Sequence, residues 1–274
     1  MHMSTAPVAC QMYVCSQIAA EQSKPLDDLL DEFLEDIASA GFDAIEWDLN
    51  RADTPEKAQS LSQRVGRFGL VISSLYTGGA FHSKDVADRT VAAILRSANA
   101  ARSVGALGLI VNPDPIGRDK TDAELACQAE ALEDLGAGLR TAGMWLAVHT
   151  HDVEMRHNAR EFRWNLEKTD PDLVGLCADL HWIYRGGQDP AGILRQYLDR
   201  VRSLHLRQSR QAVWCEELGA GDVEYWQVAD ILNEAHWQGP LVLELAYESG
   251  TPRTRPFREA LARSRAYIRG IFGR

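Results

Sequence analysis

Four polar side chains lie within or at the end of short apolar runs, where burial without a partner would cost several kcal/mol each. Glu244 interrupts the run 241–245, and His205 interrupts the run 201–206. Two carboxylates and two neutral imidazoles balance the charge of a divalent cation, and this donor set suits Mn, Co, Zn or Fe(II) better than Mg or Ca. A metal-free polar network is the alternative. The predicted metal ligands are His149, Asp179, His205 and Glu244.

Two more histidines accompany these candidates. His151 and His181 each follow a predicted ligand by two residues, so on extended backbone they face the same side as that ligand. An imidazole there can act as an acid or base, support a ligand, or replace it. The remaining candidates lack such neighbours and are predicted to be surface or loop residues: His82, His157, His236 and Glu248.

The elements that would position these side chains alternate between two periods. Short apolar runs predict strands, and stretches with apolar residues three and four positions apart predict helices, as from Leu26 to Ile37 before Gly41. The predicted strands lie near 8–14, 43–48, 70–76, 107–112, 145–149, 173–178, 201–206 and 240–246. The other predicted helices span 55–68, 84–104, 121–142, 158–168, 190–198, 225–237 and 254–271.

Eight strand–helix pairs in one chain of this length are typical of a (β/α)8 TIM barrel. A doubly wound open sheet is the competitor, but the first strand runs into 15–17 without the glycine-rich loop that such a fold uses for phosphate. In a barrel, strand ends converge at the C-terminal mouth, where the candidates would meet. The irregular stretch 207–223 is predicted to overhang that mouth.

The charge and cysteine content of the sequence disfavour several classes of protein. The 274 residues include 39 acidic and 29 basic side chains, and the net charge of −10 disfavours a nucleic-acid partner. Five scattered cysteines without a CxxC pair indicate a reduced, cytoplasmic protein without a disulfide framework. No export signal or membrane span is predicted. We expect a single domain over 1–274, with 1–6 as a tail; homo-oligomerisation stays open.

The chain resembles the sugar phosphate isomerase/epimerase superfamily, the xylose isomerase-like TIM barrels, over nearly its whole length. GFDAIE at 41–46 resembles the second strand of ketose 3-epimerases, and HTHDVE at 149–154 is similar to an element of inosose-dehydratase-like members. Three further segments are similar to family motifs: 179–190 (DLHW followed by GGQDP), 205–207 (HLR) and 217–225 (ELGAGDVEY).

This resemblance implies a metal bound by Asp179, His205 and Glu244, which match the family's ligands. His149 departs from the pattern, because the epimerases have a glutamate on strand five that exchanges protons with one face of the substrate. Arg207 and Gln208 replace the usual Lys-Asp pair, which affects how a substrate oxygen or phosphate is held. The substrate-binding positions on this basis are Glu46, His181, Arg207 and Glu217.

The leading hypothesis is a metal-dependent sugar isomerase or epimerase. It would remove a proton next to the carbonyl of a keto-sugar or polyol-derived ketone, with Glu244 or His151 as the proton acceptor. A lyase that expels a substituent from the same enediolate is the second hypothesis. An inactive sugar-binding or complex-forming barrel is the third, and the acidic charge disfavours a fourth, an abasic-site endonuclease. Since a metal-bound His149 cannot be a base, C3 epimerisation is not expected to be the main activity.

Overall fold

Eight parallel strands close into a barrel in the computed structural model, which describes residues 7–274. The barrel strands are β1 (Val8–Gln11), β2 (Ala44–Asp48), β3 (Val71–Gly79), β4 (Gly108–Pro113), β5 (Trp145–Val148), β6 (Val174–Asp179), β7 (Val201–Leu206) and β10 (Leu241–Leu243). Neighbours follow the chain order, and β1 pairs with both β10 and β2 to close the sheet. The predicted TIM barrel is confirmed. The predicted tail 1–6 lies outside the described residues.

Helices connect these strands. They are α1 (Tyr13–Glu21), α2 (Leu26–Ser39), α3 (Pro55–Gly66), α4 (Lys84–Ala101), α5 (Asp122–Thr141), α6 (Arg156–Glu167), α7 (Leu180–Arg185), α8 (Pro190–Gln196), α9 (Tyr225–Glu234) and α10 (Phe257–Phe272). Several begin where the sequence supplies a cap: Thr54 precedes Pro55 at the start of α3, and Thr121 forms a capping box with Glu124. Within residues 7–274, no helix combines the length and apolarity needed to cross a bilayer.

Several element boundaries differ from the sequence prediction. The first strand ends at Gln11 rather than 14, because the chain turns into α1, and the last strand ends at Leu243, directly before Glu244. The six-residue helix α7 was not predicted, since it is too short to show helical periodicity.

The stretch 207–223 is less irregular than predicted. It contains a small antiparallel hairpin, β8 (Ser209–Arg210) with β9 (Val213–Trp214). Asp222 stabilises its turn, because the carboxylate accepts hydrogen bonds from the Ser209 hydroxyl and from the backbone N–H groups of the two turn residues.

The barrel interior changes character along its axis. Its lower layers are filled by small or branched apolar side chains, in two groups. Polar and titratable side chains replace them toward the C-terminal ends of the strands, although these remain buried as well. The packed layers therefore form a floor beneath the polar mouth. The floor residues are Ala9, Ala44 and Val242, and Ile110, Ala147 and Cys177.

Candidate metal centre

The four predicted ligands converge at the barrel mouth. His149 and Glu244 directly follow β5 and β10, while Asp179 ends β6 and His205 lies in β7. These four strands are consecutive neighbours in the barrel, and Asp179 is aligned with His205 across β6 and β7. One nitrogen or oxygen atom from each residue lies within 4.8 Å of the others, and all four residues are buried. The geometry brings together the set that the sequence singled out.

His205 is fixed by contacts on both ring nitrogens. Its Nε2 lies 3.0 Å from Glu46 Oε1, and its Nδ1 lies 3.0 Å from Glu244 Oε2. The second oxygen of Glu46 accepts a hydrogen bond of 2.6 Å from the Ser74 hydroxyl. Glu46 Oε1 and His205 Nε2 lie at ion-pair distance without forming a hydrogen bond in the described chain. Carboxylates commonly orient metal-binding histidines from this side of the ring.

His149 is oriented from the opposite side. Its Nδ1 is 3.4 Å from the amide oxygen of Asn112 on β4, and its Nε2 is 3.4 Å from Asp179 Oδ2. The other oxygen of Asp179 caps α7 by accepting a hydrogen bond from the Trp182 N–H. Neither His149 Nε2 nor Asp179 Oδ2 has a hydrogen-bond partner within the described chain, although both atoms are buried.

These orphaned atoms fit a metal ion. A buried nitrogen and a buried carboxylate oxygen without partners would be costly in a purely structural network, and both point at the same cluster. The donor set of two imidazoles and two carboxylates matches the preference of Zn, Fe(II), Co and Mn.

Burial and mutual contact shift the ionisation of the cluster. Burial lowers the pKa of His149 to about 3, whereas burial and the Glu244 carboxylate raise the pKa of Asp179 to about 7. Burial also disfavours the charged forms of Glu244 and His205, but the charges of their neighbours have the larger effect on both pKa values. Arg207 and His205 hold the pKa of Glu244 well below its usual range, and Cys177, Glu46 and Glu244 raise that of His205.

Arg207 is held by a carboxylate and two indole rings. Its guanidinium Nη2 lies 2.7 Å from Glu244 Oε1, and its Nε donates to the Glu244 backbone oxygen. The guanidinium carbon lies 4.4 Å from the ring centroid of Trp214 and 5.5 Å from that of Trp182. Its Nη1 is buried and has no hydrogen-bond partner within residues 7–274. Arg207 can thus offer one donor to a substrate while it keeps Glu244 ionised.

His151 and His181 line the same region. The His151 ring lies 4.8 Å from that of His149 and 5.0 Å from that of Trp182, and its backbone N–H donates to Glu154. His181 is 1% exposed, and both of its ring nitrogens lack a hydrogen-bond partner in the described structure. Burial lowers the pKa of His151 to about 4 and that of His181 to about 3, so both are neutral imidazoles near pH 7.

Two predicted substrate-binding residues have other contacts. Glu46 is fully buried against Ser74 and His205, which favours an orienting role over contact with substrate. Glu217 pairs with Arg255 at 3.3 Å and lines a separate cavity of about 310 Å³. Glu217 is not part of the ligand cluster.

Sequence reasoning missed several residues at this mouth. Asn112 supports His149, Tyr76 lies edge-to-face on His149 at 5.6 Å between ring centroids, and Trp214 covers Arg207. Asn112 carried a usable signal, because it is a polar residue at the end of an apolar strand. Tyr76 and Trp214 carried no such signal, because aromatic residues are common in strands and loops.

The structure is a TIM barrel with a candidate metal site at its mouth, and a comparison of sequences identifies its family. Residues 34–267 match the model of the family described as xylose isomerase-like TIM barrel. The chain belongs to that family, as the resemblance implied.

The individual relatives share less than 30% of their residues with this chain. An inosose dehydratase from Clostridium tetani is 29% identical over 175 residues, which cover 56% of this chain and 58% of the relative. An inosose dehydratase from Bacillus anthracis is 24% identical over 97% of this chain and 95% of its own length. The structure of a sugar phosphate isomerase/epimerase from Parabacteroides distasonis superimposes with a TM-score of 0.75 over 98% of this chain and 95% of that chain, at 18% identity.

Proposed function

We propose that this protein is a divalent-metal-dependent enzyme that removes a proton next to the carbonyl of a cyclic or open-chain keto-polyol and then expels water from the neighbouring carbon. The observation that carries the proposal is the buried cluster of His149, Asp179, His205 and Glu244, in which His149 Nε2 and Asp179 Oδ2 have no hydrogen-bond partner within the described chain. The names of the inosose dehydratase relatives support a lyase.

The chain would hold the ion through these four residues, with Glu46 and Asn112 orienting the two imidazoles. When bound, a divalent cation polarises a carbonyl oxygen and stabilises the negative charge of an enediolate. Two groups can accept the proton. Arg207 keeps Glu244 ionised, and His151 is a neutral imidazole beside His149.

The residues at the end of β5 favour elimination over inversion. Epimerisation through opposed acid–base groups needs an acceptor on each face of the enediolate. His149 cannot serve as one, because its only free lone pair faces the metal cluster while its Nδ1 faces Asn112. Elimination needs a single base.

Isomerisation remains the second candidate, because it shares the proton-abstraction step and because a structural neighbour is described as a sugar phosphate isomerase/epimerase. Incubation of the metal-loaded protein with inososes and keto-sugars in deuterated water separates the two. Loss of water with an enone product supports the lyase, and deuterium in an isomerised sugar supports the isomerase. Rapid C3 inversion of a free ketose would contradict the argument from His149.

The same assay tests His151. His151→Gln is expected to keep the metal content and lower turnover, as an acid–base or substrate-contacting residue should. Loss of metal in that variant would instead make His151 a ligand and His149 its support.

A further inference from the structure

The Tyr76 hydroxyl lies at the barrel mouth beside the predicted ligands. Tyr76 lies on β3, two residues after Ser74, so the alternation of the strand turns both side chains toward the lumen. Its ring packs on the floor residues Ile110, Ala147 and Cys177 and lies edge-to-face on His149. The Tyr76 hydroxyl makes no hydrogen bond to another residue in the described range 7–274.

If the proposed function holds, the reaction must break a carbon–oxygen bond in addition to removing a proton from carbon. When the carbon–oxygen bond breaks, a hydroxyl group would leave as hydroxide, which is a poor leaving group. A positioned acid that supplies a proton at that moment typically accelerates such a step by about 10²–10⁴-fold. The site therefore needs a donor that is distinct from its base.

Besides the neutral imidazoles of His151 and His181, few groups around the cluster can supply that proton. Glu244 is paired with Arg207 and is an acceptor, and a guanidinium does not release its protons. Unlike a carboxylate, a phenol O–H can donate a proton. Tyr76 and Glu244 also enter the lumen from strands separated by β2 and β1, so a donor and an acceptor approach a bound molecule from different sides.

We propose that the Tyr76 hydroxyl is the proton donor to the departing hydroxyl group of the substrate. The base takes the proton from the carbon next to the carbonyl, and the electron pair left behind forms the carbon–carbon double bond as the bond to the leaving oxygen breaks. That oxygen keeps its electron pair and takes the Tyr76 proton, which gives water. The proton held by the base then restores the phenol, so the reaction consumes no oxidant or reductant.

Tyr76→Phe tests this role without changing the shape of the ring. The Mn-loaded variant is given an inosose in deuterated water, and two rates are followed: deuterium exchange next to the carbonyl, by NMR, and enone formation, by ultraviolet absorbance. We expect exchange to stay within about twofold of wild type while water loss falls by about 10²-fold or more. Tyr13→Phe is the matched control, because Tyr13 is 50% exposed on α1.

A substrate with fluorine in place of the departing hydroxyl supplies the decisive readout, because fluoride leaves without a proton donor. Tyr76→Phe is expected to release fluoride at a rate within a few-fold of wild type. Equal losses of exchange, water release and fluoride release would make Tyr76 a packing or binding residue and overturn the proposal.

Other outcomes also discriminate. Unchanged water loss in Tyr76→Phe, or the same split between exchange and water loss in His151→Gln instead, removes Tyr76 as the acid. Wild-type protein that neither exchanges nor dehydrates the inosose overturns the proposed function itself, and with it the step assigned to Tyr76.

Discussion

Two buried polar clusters in this barrel differ in how completely their atoms are paired. The first cluster joins α5 to α6. Lys120, just before α5, donates from Nζ to Gln128 Oε1 on α5 at 2.8 Å and to Glu161 Oε1 on α6 at 2.6 Å. The Gln128 amide group donates in turn to Glu161 and Asn165. We call these four residues the helix network. At the barrel mouth, by contrast, His149 Nε2 and Asp179 Oδ2 are buried without hydrogen-bond partners.

This difference separates a structural network from the candidate binding site. The helix network is complete within the chain, so it needs nothing from solution and holds two helices together. The ligand cluster at the mouth is incomplete without an external partner, although it is built on the ends of rigid strands. Orphaned atoms on a rigid frame are thus a better sign of function here than burial or charge alone.

The largest expected effect is on metal binding. We expect about one divalent ion per chain after reconstitution, and we expect Asp179→Asn to weaken binding by more than about 100-fold, since a ligand matters more than a supporting residue. The same variant should unfold at a higher temperature than wild type when both are metal-free, because it removes a buried carboxylate whose Oδ2 has no hydrogen-bond partner within the described chain. Elemental analysis and calorimetry measure both effects.

Lys120→Met serves as the control in that experiment and should bind metal normally. Metal content well below one ion per chain in reconstituted wild type, or normal binding in Asp179→Asn, would show that the mouth cluster is a metal-free network after all.

The helix network should respond in the opposite way. Lys120→Met leaves Glu161 without its buried cation, and we expect the free energy of unfolding to fall by about 3 kcal/mol. Urea denaturation of the metal-free protein measures this. Lys84→Met removes an exposed pair with Asp88 of similar geometry and should not shift the midpoint measurably. Equal effects of the two substitutions would contradict the distinction between buried and exposed pairs.

Glu46→Gln tests the support of His205. Loss of the carboxylate that faces His205 Nε2 should weaken metal binding by about 10- to 100-fold without abolishing it. Glu46→Asp retains the charge and should recover part of the affinity if the contact can re-form. Isothermal titration with Zn or Mn gives the affinities. Wild-type affinity in Glu46→Gln would show that Glu46 does not orient His205.

The last prediction concerns Glu154, which holds the loop that carries His151. Burial and the nearby Glu161 carboxylate raise the pKa of Glu154 to about 7 in the folded chain. Between the pKa of Glu154 in the unfolded chain and its pKa in the folded chain, the folded state binds one more proton than the unfolded state. The stabilising contribution of Glu154 is therefore present at low pH and is lost as pH rises toward 7. The slope approaches about 1.4 kcal/mol per pH unit.

Glu154→Gln should remove this slope and leave metal binding intact. Denaturant titrations at intervals between pH 4.5 and 7.5 compare the two proteins. Parallel stability curves for wild type and variant would show that Glu154 does not titrate in this range.

The sequence by itself determined the barrel and four residues of its mouth. Strand and helix periods follow from local alternation of apolar side chains, so the order of eight units could be read directly. A polar residue inside an apolar run, such as His205 or Glu244, also stands out locally, because burial demands a partner for it. Strand ends meet at one face in any such barrel, which is why these residues were predicted to converge.

Only the tertiary structure decided which groups support them. The contacts of Glu46 with His205 and of Asn112 with His149 join residues 159 and 37 positions apart by chain number, through neighbouring or facing strands. Tyr76 and Trp214 have ordinary sequence surroundings and acquire their positions from strand register and from a hairpin of four paired residues. Orientation and mutual distance are properties of the closed barrel, since no local pattern records which side chains face each other across its lumen.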